Sequence, residues 1–461
     1  MGNINVNYVV NLPPRFLSIV RDIGRLADKK DLSVYLVGGV VRDLILNREI
    51  KDLDFVVEGD AIKLAQSIAL EKKFKVTVYH QFGTATVFWK NQDFRVWRSA
   101  SLQPPVLAQR TDQYASLRSS AAPRISSKRE SPENDLEIDF VSARKEIYEY
   151  SGALPKVEMA GLPDDLFRRD FTINTLCLSI NKESWGKLVD LYGGLDDLKS
   201  KLICVLHEKS FLDDPTRILR AVRFAQRLNF QIESRTLGWI KQAVQQNTLK
   251  NVKLPRLFQE LKKNFSEKKS KNQIQALQKM KVLSAIHQSL KVDVAKLDAI
   301  DAFFKKNAGE KWLFVFMSLV SNFKSKELDG FLKIIQLNKM DQKSVSQSLE
   351  VNRVLSALNK HLINRSEIYM ILNSFQLETV RYFYVCARTV RQKKRIRCYL
   401  DRDRFKQTSI NGDDLRRIGF SDGKEMKKVL MIILSQKING LIKSTSDELQ
   451  SARQYLQGLK K

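Results

Sequence analysis

Short apolar runs bounded by turn residues fill the first 205 positions, and beyond them the apolar residues recur at spacings of three and four. The runs at 34–37, 53–57, 75–79, 84–89 and 137–141 are rich in Val, Ile, Phe, Tyr and Thr, which predicts five strands and a small mixed sheet. After Leu206 the groups Ile218, Leu219, Val222 and Phe224, then Leu254, Leu257, Phe258 and Leu261, predict helix upon helix. No period of about 20 to 50 residues recurs, which excludes a regular solenoid. The expected fold class is α+β, a head with a small mixed β-sheet followed by an all-α remainder. Between 98 and 134 Ser, Ala, Pro, Arg and Gln dominate, as in Ser119-Ser120-Ala121-Ala122-Pro123. That stretch predicts an insertion that lacks a packed core and loops out from the sheet.

The length of 461 residues corresponds to two to four domains, at roughly 100 to 200 residues each. With 43% hydrophobic residues, 19 Gly and 10 Pro, the chain is neither collagen-like nor wholly disordered. The formal charge of +28 changes the picture more, because it points to a polyanionic partner, nucleic acid first. Cys177, Cys204, Cys386 and Cys398 show no Cys-x-x-Cys spacing, so neither a zinc site nor a disulfide framework is expected, in keeping with a reducing compartment. Positions 1–30 lack a signal-peptide pattern, and no apolar run approaches the roughly 18 residues that cross a bilayer. A cytoplasmic protein without membrane contact is expected.

The chemistry lies in the first half. Gly38 and Gly39 stand between a strand and a short helix, where backbone N–H groups reach a phosphate closely, and Arg42, beside Asp43, adds a guanidinium fork. An ordinary tight turn with an Arg42–Asp43 surface pair would look the same. Asp52 and Asp54 alternate on one strand and so share a face. Two such carboxylates suit Mg²⁺, and metal ions roughly 3.5 to 4 Å apart suit nucleotidyl transfer. Arg168 and Arg169 suit a triphosphate, and Asp170 or Asn174 a ribose hydroxyl. Asp214, Arg217, Arg220 and Arg223 recur at intervals of three on a predicted helix, where an Asp beside an Arg imitates a base edge that accepts C or A and leaves G or U unpaired. Pro215 at a helix start followed by helix ion pairs is the structural alternative. None of His80, His207, His287 and His361 precedes an Asp, which argues against an appended His-Asp phosphohydrolase domain.

Four ordered blocks carry a resemblance. They are Gly38-Gly39-Val40-Val41-Arg42-Asp43 with Asp52-Leu53-Asp54, then 164–174 containing Arg168-Arg169-Asp170, then 191–198 containing Gly193-Gly194, then Asp213-Asp214-Pro215-Thr216-Arg217. Together they resemble the class II tRNA nucleotidyltransferase and poly(A) polymerase family from about residue 31 to 261, with a weaker echo at Asn411-Gly412-Asp413-Asp414-Leu415. The resemblance implies a nucleotidyltransferase head at 1–205, a helical neck with a base-selecting helix at 206–270, a body at 271–395 and an RNA-binding tail at 396–461. It implies addition of CCA, or part of it, to the 3′ end of tRNA from CTP and ATP with Mg²⁺. It further implies catalytic and metal-holding roles for Asp52 and Asp54, and nucleotide binding by Gly38, Gly39, Arg42, Asp43, Arg168, Arg169, Asp170, Asn174, Asp214, Arg217, Arg220 and Arg223. Asp213 stands where the family commonly has Glu. The third catalytic acid is Asp139, with Glu137, two residues away on the same strand face, as the alternative. Residues 145–163 correspond to the family's flexible loop. CC-only or A-only addition, poly(A) synthesis and a non-catalytic RNA-binding relative remain open alternatives. The basic runs at 262–271 and 391–397 suit a phosphate backbone, or simply solvated helix faces.

Overall fold

The computed structural model describes residues 8–89 and 136–459, so the predicted insertion at 98–134 lies outside the described residues. The chain forms two units, Met1–Asp214 with Leu228–Trp239, and Pro215–Arg227 with Ile240–Lys461.

The first unit begins with α1 (Pro14–Asp28), β1 (Ser33–Val37), α2 (Gly39–Ile45), β2 (Leu53–Glu58), α3 (Ala61–Lys72), β3 (Lys75–Tyr79) and β4 (Thr84–Trp89). It continues through β5 (Leu136–Ser142), β6 (Arg144–Ile147), β7 (Lys156–Met159), α4 (Leu162–Phe167), β8 (Cys177–Ser179), β9 (Leu188–Val189), α5 (Gly194–Lys199), β10 (Leu202–Ile203) and α6 (Ser210–Asp213). All five predicted strands form, within a residue or so of their expected ends. The sheet is larger than expected, with seven strands in the order β3-β4-β5-β2-β1-β8-β9. The additions β8 and β9 have only three and two residues, too short for a period-two pattern to announce them. The sheet is mixed because β2 and β5 run parallel while its other pairs are antiparallel.

Alternation gives the sheet two different faces. Phe55 and Phe140 are fully buried and stack at 5.3 Å on one face. The Ser142 hydroxyl on that face accepts from the backbone N–H of Ala61, which ties α3 to β5 there. The opposite face carries Val56 in a second core with Val37, Leu162, Leu166 and Cys177, and next to it Asp54 and Asp139.

The expectation of helix alone after Leu206 needs one correction. After α7 (Thr216–Leu228), β11 (Gln231–Ile232) returns to pair parallel with β10, and the Thr236 hydroxyl in α8 (Ser234–Gln245) accepts from Val205 N. A span of sequence read as one neck therefore alternates between the two units, because pairing partners lie 29 residues apart at Leu202 and Gln231.

The second unit is helical, from α9 (Leu254–Ser266) to the helix Thr445–Leu459, around cores such as Ile410, Leu415, Phe420, Val429, Ile433 and Ala452. The helix Val390–Asp401 runs unbroken across the expected body–tail boundary at 395/396, since the Thr389 hydroxyl and Gln392 cap its start and Ile396 is buried mid-helix. Among the described residues no helix is long and apolar enough to cross a membrane.

Candidate active site

The head brings most of its predicted residues to one end of β1, β2 and β5. Gly38 caps α2 with φ +73°, a conformation that only glycine adopts without strain, and a Cβ there would lie 3.0 Å from Arg169 Nη1. The glycine turn therefore admits an arginine side chain from another segment.

Asp54 on β2 lies in register with Asp139 on β5, whose Oδ1 accepts from the Thr86 hydroxyl at 2.5 Å. Burial first, then the neighbouring Asp139 and Asp52 charges, push the Asp54 carboxyl from 3.8 up to about 6, against the opposing pull of Arg169. Asp52 is exposed just before β2 begins. Glu137, the other candidate for the third acid, is exposed and pairs across with Phe88 instead. Register thus places Asp139, rather than Glu137, beside Asp54. Among the described residues no three or more His, Cys, Asp or Glu converge as a ready metal cage. The pair Asp54–Asp139 with Asp52 nonetheless fits a divalent cation, because crowded carboxylate oxygens are the hard donors such an ion takes.

Arg42 differs most from its expected role. Its guanidinium is only 4% exposed and donates to both Asp43 oxygens at 2.9 Å and to Asn174 Oδ1 at 2.6 Å. Asn174 Nδ2 in turn donates to Asp170 Oδ1 at 2.8 Å, which also accepts from Phe171 N. The four predicted residues Arg42, Asp43, Asp170 and Asn174 form one hydrogen-bonded chain that ties the glycine turn to the segment after α4. Arg42 is a strut in that chain, whereas the sequence pattern alone suggested a fork open to phosphate.

Arg168 and Arg169 emerge at the end of α4 and share one buried acceptor. Asp165, with no exposed surface, receives Arg168 Nε at 3.0 Å and Nη2 at 2.6 Å on Oδ1, and Arg169 Nη2 at 3.0 Å on Oδ2. Asp165 carried no role in the sequence reading, although its i, i+3 and i, i+4 spacing to the two arginines is the signal that finds it. The segment expected to be a flexible loop is a two-stranded ribbon, β6 against β7, because Lys145 pairs with Glu158 and Glu146 with Val157 in an antiparallel ladder. Gly193-Gly194 serves packing. Asp190 caps the N–H groups of Gly194 and Leu195, and a Cβ on Gly194 would strike the Thr172 carbonyl oxygen at 2.3 Å.

Asp214 is extended at φ −135° and closes the first unit, ahead of the helix on which it was placed. In the second unit, Arg220 Nη1 and Arg223 Nη2 lie 4.0 and 3.3 Å from Glu260 of α9, with both guanidinium groups over Phe224. These two therefore fasten α7 to α9, as ion pairs across packed helices do. The basic run at 391–397 also has internal work. Arg391 and Arg395 donate to the carbonyls of Asn359, Leu358 and Lys360, and Arg397 to the Tyr384 hydroxyl. Within 411–415, Asn411 caps a helix with Asp414 completing the box.

Comparison with known proteins agrees with this geometry. Residues 34–204 match the model of the poly A polymerase head domain, and residues 229–293 that of the probable RNA and SrmB-binding site of polymerase A. An A-adding tRNA nucleotidyltransferase of Geobacter sulfurreducens is 31% identical over 96% of this chain and 47% of the relative. One from Aquifex aeolicus is 40% identical over 55% of this chain and 26% of the relative, and one from Halalkalibacterium halodurans is 28% identical over 95% and 92%. The chain thus spans half or less of the first two curated relatives, and nearly all of the third. The solved structure of a Thermotoga maritima CCA-adding enzyme complexed with tRNA superposes with a TM-score of 0.72 at 26% identity over 97% of this chain and 98% of that one. A CCA-adding enzyme complexed with ATP gives 0.76 at 27% identity over 98% and 97%. With the glycine turn, the paired acids and the arginine pair in place on a matching head, the chain belongs to the poly(A) polymerase and tRNA nucleotidyltransferase family.

Proposed function

We propose that the protein is a template-independent nucleotidyltransferase that adds CCA, or part of it, to the 3′ end of tRNA from CTP and ATP in the cytoplasm. The observation that carries this is Asp54 in register with Asp139, next to a glycine turn that admits Arg169. In this reading the 3′ hydroxyl attacks the α-phosphate and pyrophosphate leaves. Arg168 and Arg169 bind the triphosphate, on which they hold negative charge as it shifts to the leaving group. Gly38 and Gly39 allow the chain to approach it. Asp54, whose carboxyl is pushed up to about 6 by burial and by Asp139, carries the crowded negative charge that a bound cation would neutralise. A divalent ion, Mg²⁺ in the first instance, would be held by Asp52 and Asp54 with Asp139 alongside, and would supply Lewis-acid charge to the phosphates. Arg42, Asp43, Asp170 and Asn174 keep the turn and the sugar side of the pocket in place. Asp214 and Arg217 read the base edge, and Arg220 and Arg223 act by seating α7 on α9.

Addition of A alone is the narrower second reading, favoured because the relatives aligned over 96% and 95% of this chain are A-adding enzymes. Purified protein incubated with tRNA transcripts that end before CCA, after C and after CC, with Mg²⁺ and each NTP separately or together, separates the possibilities. Growth by three residues with CTP and ATP supports full addition. A single A on the CC end alone supports the narrower reading. Long A tracts mean poly(A) synthesis, and no incorporation on any transcript refutes catalysis and points to a binding role.

A further inference from the structure

The ribbon β6–β7 delivers an acid into the arginine cluster. Glu146, its side chain 9% exposed, accepts from Arg168 Nη1 at 3.0 Å, from Arg144 Nη2 at 3.4 Å and from the Tyr148 hydroxyl at 2.8 Å. Asp165 grips Arg168 from the other side through Nε and Nη2. Arg144 and Arg168 thus share Glu146, while Arg168 and Arg169 share Asp165. The Nε groups of Arg144 and Arg169 are buried without a hydrogen-bond partner. Buried donors left unmade are costly, so the cluster is built to receive a further anion.

The ribbon itself is lightly packed. Ile147, Tyr150, Leu154 and Met159 are 44%, 64%, 78% and 60% exposed, and the Glu146–Arg168 pair ties the ribbon to the end of α4.

Resting on the reading that Arg168 and Arg169 bind the triphosphate, we propose that Glu146 is a positioning residue that stands in for a phosphate oxygen at Arg168 Nη1, so that triphosphate binding unlatches the ribbon from the arginine. One charge-assisted bond replaces another at Nη1. Asp165 stays in place as the anchor throughout, which keeps the guanidinium aimed while its partner changes. The two carboxylates on one arginine therefore have opposite effects on the ligand. Asp165 improves binding by orientation, and Glu146 opposes it by competition.

The test uses inorganic triphosphate as the probe and full-length wild type, Glu146→Gln and Asp165→Asn, each first shown to unfold cooperatively on heating. Titration calorimetry should show Glu146→Gln binding about three- to tenfold tighter than wild type, and Asp165→Asn binding weaker by at least as much. Amide hydrogen exchange at 144–147 and 156–159 should quicken when wild type binds triphosphate. In Glu146→Gln it should be fast already and unchanged by the ligand. With ATP as substrate, the KM of Glu146→Gln should fall without a rise in kcat. Equal or weaker triphosphate binding by Glu146→Gln, or ribbon exchange that the ligand leaves unchanged or slows in wild type, overturns the proposal. Failure of wild type to bind triphosphate at all overturns the reading of Arg168 and Arg169 beneath it.

Discussion

Replacing Asp54 with Asn should make the protein more stable and less active. In the folded protein the Asp54 carboxyl is pushed from 3.8 to about 6 by burial and by Asp139 and Asp52. The raised value means that ionising Asp54 opposes folding. Below about pH 3 the group is protonated in both states and contributes nothing, whereas above about pH 7 it is ionised in both and the folded state bears the full penalty. A displacement of that size corresponds to about 3 kcal/mol, and solvent at the edge of the side chain reduces it to between about 1 and 3 kcal/mol. Asn keeps the shape and removes the charge. Its melting temperature should therefore exceed that of wild type by about 2 to 4 °C per kcal/mol at pH 8, by much less at pH 4, and match it near pH 3. Calorimetry across that pH range, with and without Mg²⁺, reads the effect. Mg²⁺ should raise the wild-type transition at pH 8 and so narrow the gap, while nucleotide incorporation by Asp54→Asn is lost. A variant less stable than wild type at pH 8, or an advantage that persists undiminished at pH 4, would refute the argument that crowded negative charge sets this site.

Four further expectations follow from the same geometry. Arg169→Ala removes the cation that restrains the Asp54 carboxyl, so the acid limb of the pH–rate profile should move to higher pH, with KM for the nucleotide up about tenfold. Asn174→Ala takes an acceptor from the buried Arg42 guanidinium, and urea unfolding should show a loss of about 2 to 3 kcal/mol together with a fall in kcat/KM. Gly194→Ala drives a Cβ against the Thr172 carbonyl and should destabilise by about 3 kcal/mol or more, measured by the same unfolding curve, where Gly330→Ala, which meets nothing within 4 Å, should not. Glu448 is 1% exposed and is held below its usual range, against its burial, by Lys437 and the N–H groups of Ile410 and Ser409. Its lowered value means stability present above about pH 4.5 and lost as pH falls, so Glu448→Gln should cost about 1 to 3 kcal/mol at pH 7 and nothing in strong acid.

Much of the head was legible because strands and glycine turns are local. Five runs of β-branched and aromatic residues became β1 to β5, and the Gly38-Gly39 pair became the left-handed entry to α2. The same local logic failed at β8, β9 and β11, which are two or three residues long and form only where the fold brings a pairing partner alongside. At 145–163, where the family resemblance implied a flexible loop, 144–147 and 156–159 pair as the β6–β7 ladder around a turn.

At the candidate site, residue types announced the chemistry while the fold assigned the partners. Paired Asp at 52 and 54, Arg at 168 and 169, and the order of the four motifs were enough to name a family and a reaction class. The sequence put Asp139 ahead of Glu137 while leaving both open on one strand face, and the register of β5 on β2 sets Asp139 opposite Asp54. Seeing the Arg42 guanidinium held by Asn174, 132 residues away, needed the fold, and so did pairing Glu146 with Arg168. The sequence by itself determined which side chains the protein has for binding phosphate and metal, and where the chain turns, because those depend on residue type and near neighbours. Tertiary structure alone decided which charges are spent on each other and which stay available, because ion pairing and desolvation depend on distances that only the folded chain sets.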